Sequence, residues 1–266
     1  MKKTVLFFSA AFSLLMTGVL LNNTLNVYKI GLLTIGVLCG IILIYDVKVV
    51  LEKGSVLKKV RCFLSCKKQA FFSILLIALI PLAFTTLSLT SFLTFALCGV
   101  LGVAYSFTFR INKKAYKLKE VLILKNVLIG IAWGLLIVVG YGSLDNDMVI
   151  YITTFASIQV FIGSTIRDLP HEGLDKNKGV NSLPVSIGGK KTVLVLHIIN
   201  FLSLLLLVFA SQNVNYMLLL SLIVVWRFAN LLVLSHNYQS KLWGQTVNLL
   251  TCVMFLFITF IQYLWN

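Results

Sequence analysis

The chain has 266 residues, 59% of them hydrophobic and only 12% charged, whereas soluble domains carry about 25% charged residues. Lys and Arg number 23 against 8 Asp and Glu, a net charge of +15. The composition excludes a soluble globular domain. The placement of the basic residues excludes nucleic acid as the reason for the charge, because they lie in short loops between apolar runs, where they orient a membrane protein.

A spanning helix needs about 20 mostly apolar residues. Runs of that kind fall, in chain order, at 4–22, 29–50, 69–87, 89–108, 119–141, 147–166, 191–210, 215–234 and 243–265. The fold class this predicts is all-α, a polytopic membrane protein of nine transmembrane helices forming one domain over 1–266. The first run has Lys2 and Lys3 ahead of an apolar core, as a signal peptide does. No small-x-small cleavage site follows in LLNNT, so the run is read as a retained helix.

The connections alternate in charge. The segments near 23–28, 87–90, 142–147 and 211–215 carry no Lys or Arg. The N-terminus and the second-to-third, fourth-to-fifth, sixth-to-seventh and eighth-to-ninth connections, taken with the helix ends that flank them, hold 22 of the 23 basic residues, Lys29 being the exception. The positive-inside rule then puts the N-terminus and the basic loops in the cytoplasm and the C-terminus outside, in a cell membrane of prokaryotic type. The five cysteines, Cys39, Cys62, Cys66, Cys98 and Cys252, show no CxxC or Cys/His metal spacing and read as reduced thiols.

Two cytoplasmic connections carry acids where a span ends. In 42-ILIYDVKVVLEKG-54, Asp46 still lies within an apolar run. A carboxylate costs about 2.5–3.5 kcal/mol at mid-membrane, and less near the surface, so such a residue is read as functional by default. In 167-RDLPHEGLDKNKGVNSLP-184, three of the eight acids gather with a His. Asp168, His171 and Asp175 are spaced by three and four, which places them on one face of a helix, although Pro170 would bend or interrupt it. Facing carboxylates repel, and a divalent cation relieves them. Mg²⁺ held by few carboxylates takes substrate phosphates as further ligands. Acids and lysines at a membrane surface therefore suggest an Mg²⁺-bridged diphosphate.

The stretch 165-TIRDLPHEGLDKNKGVNSLPV-185 resembles the second Asp-rich motif of the UbiA superfamily of intramembrane prenyltransferases. Asp168 and Asp175 match its outer acids, Gly179, Ser182, Leu183 and Pro184 match its tail, and His171 stands where the family has its middle Asp. The first motif falls on 42–50, where Asp46 matches while Ile42 and Val50 replace an Asn and an Asp. The segment 104-AYSFTFR-110 resembles the family's Tyr-containing loop through Tyr105 and Arg110, and 124-LKNVLIGIAWG-134 resembles the helix that follows.

The resemblance implies a helical bundle around a central cavity and transfer of a polyprenyl group from a prenyl diphosphate to a small, often aromatic, acceptor. It implies Asp46, Asp168, Asp175 and His171 as the metal site for Mg²⁺. Lys48, Arg110 and Lys178 would bind the diphosphate, and Tyr105 would border the reacting carbon. Two other readings remain open: a non-catalytic lipid-binding membrane protein of the same fold, and a terpene-cyclase-like enzyme that ionises the diphosphate without an acceptor.

Other residues have plainer readings. Gly130 and Gly134 form a small-xxx-small pair suited to helix packing. His197, inside a span, suits a helix–helix hydrogen bond better than ligation, and Arg227 is placed close enough to the inner end of the eighth span to snorkel. The tryptophans read as interfacial or packing residues.

Overall fold

The computed structural model describes residues 2–22, 27–51, 75, 80–81, 85–106, 108–111, 114–117, 123–177, 179–209, 214–236 and 241–265. The side chains of 2–6, 27, 42–51, 103–106, 108–111, 114–117, 209 and 241–245 lie outside that description. The described chain is helical apart from one hairpin: α1 (Lys2–Leu21), α2 (Val27–Leu51), α3 (Leu89–Ser106), β1 (Thr108–Ile111), β2 (Lys114–Lys117), α4 (Leu124–Tyr141) and α5 (Asp147–Asp168), then a 3₁₀ turn at Leu169–His171, α6 (Glu172–Asn177), α7 (Leu183–Ile187), α8 (Gly189–Phe209), α9 (Val214–His236) and α10 (Lys241–Trp265).

Eight of the nine predicted runs are these long helices, to within a few residues. The run 69–87 falls largely outside the described residues. Among the described residues five helices are long and apolar enough to cross a membrane, and Phe7–Leu21, Tyr28–Ile41 and Leu89–Gly102 are shorter apolar stretches. The chain is an integral membrane protein. Two expectations need correction. The fourth run stops at Ser106 and is followed by an antiparallel hairpin pairing Arg110 with Ala115. The fifth begins at Leu124 rather than 119, after Ile123 at φ 51°. The polar segment 112-NKKAYKLK-119 lacks the apolar surface that holds a helix in lipid.

The helices close a ring in the order α1, α2, α3, α4, α5, α8, α9, α10, with α10 returning to α1; α1 also touches α4, and α5 touches α10. The outside is apolar. On α8, Leu194, Ile198, Phe201, Leu202, Leu205 and Val208 are exposed, the three- and four-residue spacing of one helix face turned to lipid. The polar residues of the same helices point inward, with Gln159, Asn200, Ser203, Arg227 and Asn230 all buried. In hydrocarbon nothing outside the protein can answer these groups, so they must find one another.

Glycines set the closest approach. A Cβ at Gly130 would stand 2.6 Å from the carbonyl oxygen of Ser157, and one at Gly134 2.8 Å from that of Thr153. The predicted small-residue pair therefore packs α4 against α5. At the other end of α4, Gly142 at φ 105° donates its N–H to the Val138 carbonyl (2.8 Å) and ends the helix in the left-handed form. Asn146 then caps α5 by accepting from the Met148 N–H at 2.9 Å. A small apolar cluster of Ile162, Ile166, Leu169, Val193, Leu196, Leu231 and Leu234 clamps the far end of α5 between α8 and α9, and so fixes where Asp168 sits.

Candidate functional site

Asp168 is the last residue of α5, and Pro170 stands in the 3₁₀ turn that follows. The interruption expected from Pro170 is therefore real, but short: helix resumes at Glu172 and runs to Asn177. Asp168 is 6% exposed. Its carboxylate is held by α4. Lys125 Nζ lies 2.7 Å from Oδ1 and 2.6 Å from Oδ2, and Asn126 Nδ2 donates to Oδ2 at 3.0 Å and to Thr165 Oγ1 at 3.1 Å. Lys125 and Asn126 occupy the first turn of α4. The positive end of that helix dipole faces the carboxylate as well. Sequence reading counted Lys125 only as one of many loop cations and passed over Asn126; the single available signal was that both open an apolar helix.

Asp168 opens onto a cavity of about 510 Å³ within the ring, in the size range of small-molecule sites. Arg167, Ser164 and His171 share its wall at that end. Arg167 also sits over the Phe7 ring, 5.5 Å from its centroid. The middle of the wall is apolar, with Phe95, Ala132, Trp133, Leu136 and Phe255. Gly40 and Gly99 lie in the wall, and a Cβ on either would meet nothing within 4 Å.

The same cavity has a second polar region, formed by Gln159, Arg227 and Asn248. Gln159 precedes Asp168 by nine residues on α5, about 13.5 Å of helix rise. Arg227 is 1% exposed. It does not snorkel, as expected from its position, but turns inward. Its Nη1 donates to Asn248 Oδ1 (3.1 Å), its Nη2 to the Gln159 carbonyl (3.1 Å) and its Nε to Gln159 Oε1 (3.4 Å). His197 packs edge-on against Phe228 of α9, ring centroids 4.9 Å apart.

Of the residues singled out in the sequence, Asp168 and His171 reach the cavity wall together. Asp175 lies further on, half-buried in α6 and outside that wall. Among the described residues no three His, Cys, Asp or Glu side chains group as a metal site. Asp46 and Lys48 fall in the last turns of α2, Tyr105 in the last turn of α3 and Arg110 in β1, but their side chains lie outside the described residues, as does Lys178 altogether.

Whether Mg²⁺ suits this place is tested by the donors present. Asn126 Oδ1 is buried and has no hydrogen-bond partner among the described residues, while its amide nitrogen already touches Asp168. An orphaned amide oxygen beside a buried carboxylate is a hard-oxygen set, the kind Mg²⁺ takes. The donors fit.

The UbiA prenyltransferase family matches this chain over residues 64–261. None of the curated proteins matches it. Among solved structures, a UbiA homolog from Archaeoglobus fulgidus bound to GPP and Mg²⁺ has a TM-score of 0.67 at 14% identity, covering 96% of this chain and 95% of that one. The same homolog bound to DMAPP and Mg²⁺ gives 0.64 at 15%, with the same coverage. A digeranylgeranylglyceryl phosphate synthase gives 0.62 at 17%, covering 97% and 98%. At these identities the likeness is one of fold.

Proposed function

We propose, from the premise that the chain belongs to the UbiA prenyltransferase family, that it transfers a prenyl group from a prenyl diphosphate to a small acceptor inside the membrane, with Mg²⁺. The observation that carries this reading is the buried carboxylate of Asp168 at one end of a largely apolar cavity of about 510 Å³. The Archaeoglobus fulgidus homolog of the same fold binds GPP or DMAPP together with Mg²⁺. The full bundle on this reading has nine spanning helices in a single domain over 1–266, with the N-terminus cytoplasmic and the C-terminus outside.

Asp168 and the orphaned Asn126 oxygen would hold the metal, joined by Asp46, Asp175 and His171. Bound there, Mg²⁺ would supply charge to offset the leaving diphosphate. The rest falls to the chain itself. Lys48, Arg110 and Lys178 are the cations assigned to the diphosphate, and Arg167 in the wall adds another. The C–O bond to the prenyl carbon breaks, the diphosphate leaves with the electron pair, and an acceptor atom bonds to that carbon and gives up a proton. Tyr105 is assigned to the border of the reacting carbon. The apolar middle of the wall takes the prenyl chain and keeps water from the allylic cation.

One observation favours a second reading, a lipid-binding protein without catalysis. Asp168 is already neutralised by Lys125 at 2.6–2.7 Å. Titration of geranyl diphosphate into purified protein, with and without Mg²⁺, separates the two. The enzyme reading expects binding that needs Mg²⁺ and weakens by at least about tenfold in Asp168→Asn. Equal binding with and without the metal, unchanged in that variant, would establish the carrier instead.

A further inference from the structure

α3 lies against α4 in a register that its few polar residues fix. Ser88 Oγ, just ahead of α3, accepts the Ser91 N–H at 3.1 Å and so caps the helix. The same hydroxyl donates to the Gly142 carbonyl, just past the end of α4. Ser91 Oγ donates to the Val139 carbonyl at 2.8 Å, and Cys98 Sγ to the Ala132 carbonyl at 3.3 Å. The steps match. Three residues from Ser88 to Ser91 are answered by three from Gly142 back to Val139, and seven from Ser91 to Cys98 by seven from Val139 back to Ala132. The two helices are therefore antiparallel and keep one register along their length. Four residues further along each, Gly102 and Leu128 stand in the cavity wall together with Cys98 and Ala132.

Apolar packing alone does not fix such a register. Lipid is as apolar as Leu, so the hydrophobic effect does not hold one spanning helix at a set height against the next. A hydroxyl that leaves its carbonyl in hydrocarbon finds no water instead, and Ser91 is fully buried. Ser88 meets the last carbonyl of this row, so a slip of α3 by one turn past the end of α4 would carry it beyond them all. Seven residues after Cys98 comes Tyr105, in the last turn of α3, and seven before Ala132 comes Lys125, in the first turn of α4. Seven residues make nearly two whole turns and about 10.5 Å of rise. Tyr105 thus falls on the α3 face of Ser91 and Cys98, at the height of Lys125, whose ammonium holds Asp168 at 2.6–2.7 Å.

We propose that Ser91 and Cys98 are positioning residues, whose hydrogen bonds to α4 set the height of Tyr105 at the Asp168–Lys125 pair. This deepens the prenyl-transfer reading and rests on it for the role of Tyr105 beside the reacting carbon; the register itself does not. The diphosphate end of the cavity is built on α4 and α5, whereas Tyr105 arrives on α3. Three residues of slip would move it by about 4.5 Å, away from the carbon it is assigned to border.

A photo-reactive p-benzoylphenylalanine at position 105 of the full-length protein, in phosphatidylcholine nanodiscs, tests the proposal. Irradiation should join position 105 to α4 within one turn of Lys125, read by mass spectrometry of the peptides. With farnesyl diphosphate and Mg²⁺ present, position 105 should also label the farnesyl chain. Adding Ser91→Ala with Cys98→Ala should lower the farnesyl cross-link about fivefold, the scale of two interhelical hydrogen bonds in lipid, and spread the α4 cross-link over further turns, while farnesyl diphosphate affinity is unchanged. Cys98→Ser, which keeps a donor, should preserve both cross-links. A cross-link that falls more than one turn from Lys125 overturns the register even if the double variant does not fold. An unchanged farnesyl cross-link in the folded double variant, or a Cys98→Ser protein that behaves like it, overturns the positioning role. The two readings fail separately. A cross-link at Lys125 in a protein that does not bind farnesyl diphosphate sinks the prenyl-transfer reading and keeps the register. Binding with a misplaced cross-link sinks the register alone.

Discussion

Replacing Lys125 by Met removes the ammonium that sits between the two oxygens of Asp168 and leaves a side chain of similar length to fill the space. Both side chains of the pair are largely buried, at 14% and 8% exposure. Removing one partner of a buried ion pair costs about 3–5 kcal/mol, because the other charge stays buried and unpaired. Here Asn126 still donates to Oδ2 at 3.0 Å, and the first turn of α4 still faces the carboxylate. The expected loss is therefore at the low end, about 3 kcal/mol. A cation that binds only the folded protein, at 100 times its Kd, returns about 2.7 kcal/mol. Saturating Mg²⁺ should thus restore most of what Lys125→Met loses. The wild type should gain much less, since the metal must first displace the lysine. Unfolding in mixed micelles, followed by tryptophan fluorescence with and without MgCl₂, measures both quantities. A Lys125→Met protein that is destabilised but indifferent to Mg²⁺ would refute the idea that Asp168 is a cation site, and one that loses no stability would refute the burial argument beneath it.

Other expectations follow from single contacts. Gly134→Leu should separate α4 from α5 and cost about 1–3 kcal/mol, because its Cβ would lie 2.8 Å from the Thr153 carbonyl oxygen; the same unfolding assay reads it. Gly40→Phe should fold normally, since a Cβ there meets nothing within 4 Å, yet fill the cavity and weaken binding of farnesyl diphosphate more than that of dimethylallyl diphosphate. His171→Asp restores a carboxylate at the cavity wall and should raise Mg²⁺-dependent binding of geranyl diphosphate; identical isotherms with Mg²⁺, Mn²⁺ and Zn²⁺ in both proteins would remove any metal role from this position. A reporter fused after Asn266 should be active outside the cytoplasm, and activity inside would overturn the nine-span reading.

The spanning helices were legible because apolar length is a one-dimensional property. A window rich in Leu, Ile and Val either reaches across hydrocarbon or does not, and the long helices α1 to α5 and α8 to α10 begin and end within a few residues of the predicted runs, apart from the start of α4. The hairpin at 108–117 was not legible for the complementary reason: it lies among loop lysines, where no burial pattern forces a period on the sequence. The site was half legible. Asp168 stood out as a scarce acid at a helix end, and His171 followed from its spacing. Lys125 did not, because its partner is 43 residues away and because, in a chain with 23 basic residues, charge counting reads each of them as an orienting loop cation.

Arg227 shows how that counting misleads. A basic residue nine positions before the C-terminal end of α9 has a side chain long enough to reach for the surface, and snorkelling is the cheaper solution for an isolated helix. In a ring of helices the choice is different. Gln159 and Asn248 face the same interior from two neighbouring helices, and three hydrogen bonds there compete with water at a distance. The decisive sequence signal was one of charge balance: a stretch of 91 residues from Lys176 to Asn266 contains Lys and Arg but neither Asp nor Glu. A cation fixed inside such a stretch cannot be neutralised by its own helices. Its counter-ion must come from elsewhere in the fold or from what the cavity binds, and Asp168, the described carboxylate in the cavity wall, is already held by Lys125. The cavity thus carries a cation at each end, Arg167 beside the Asp168–Lys125 pair and Arg227 in the second polar region.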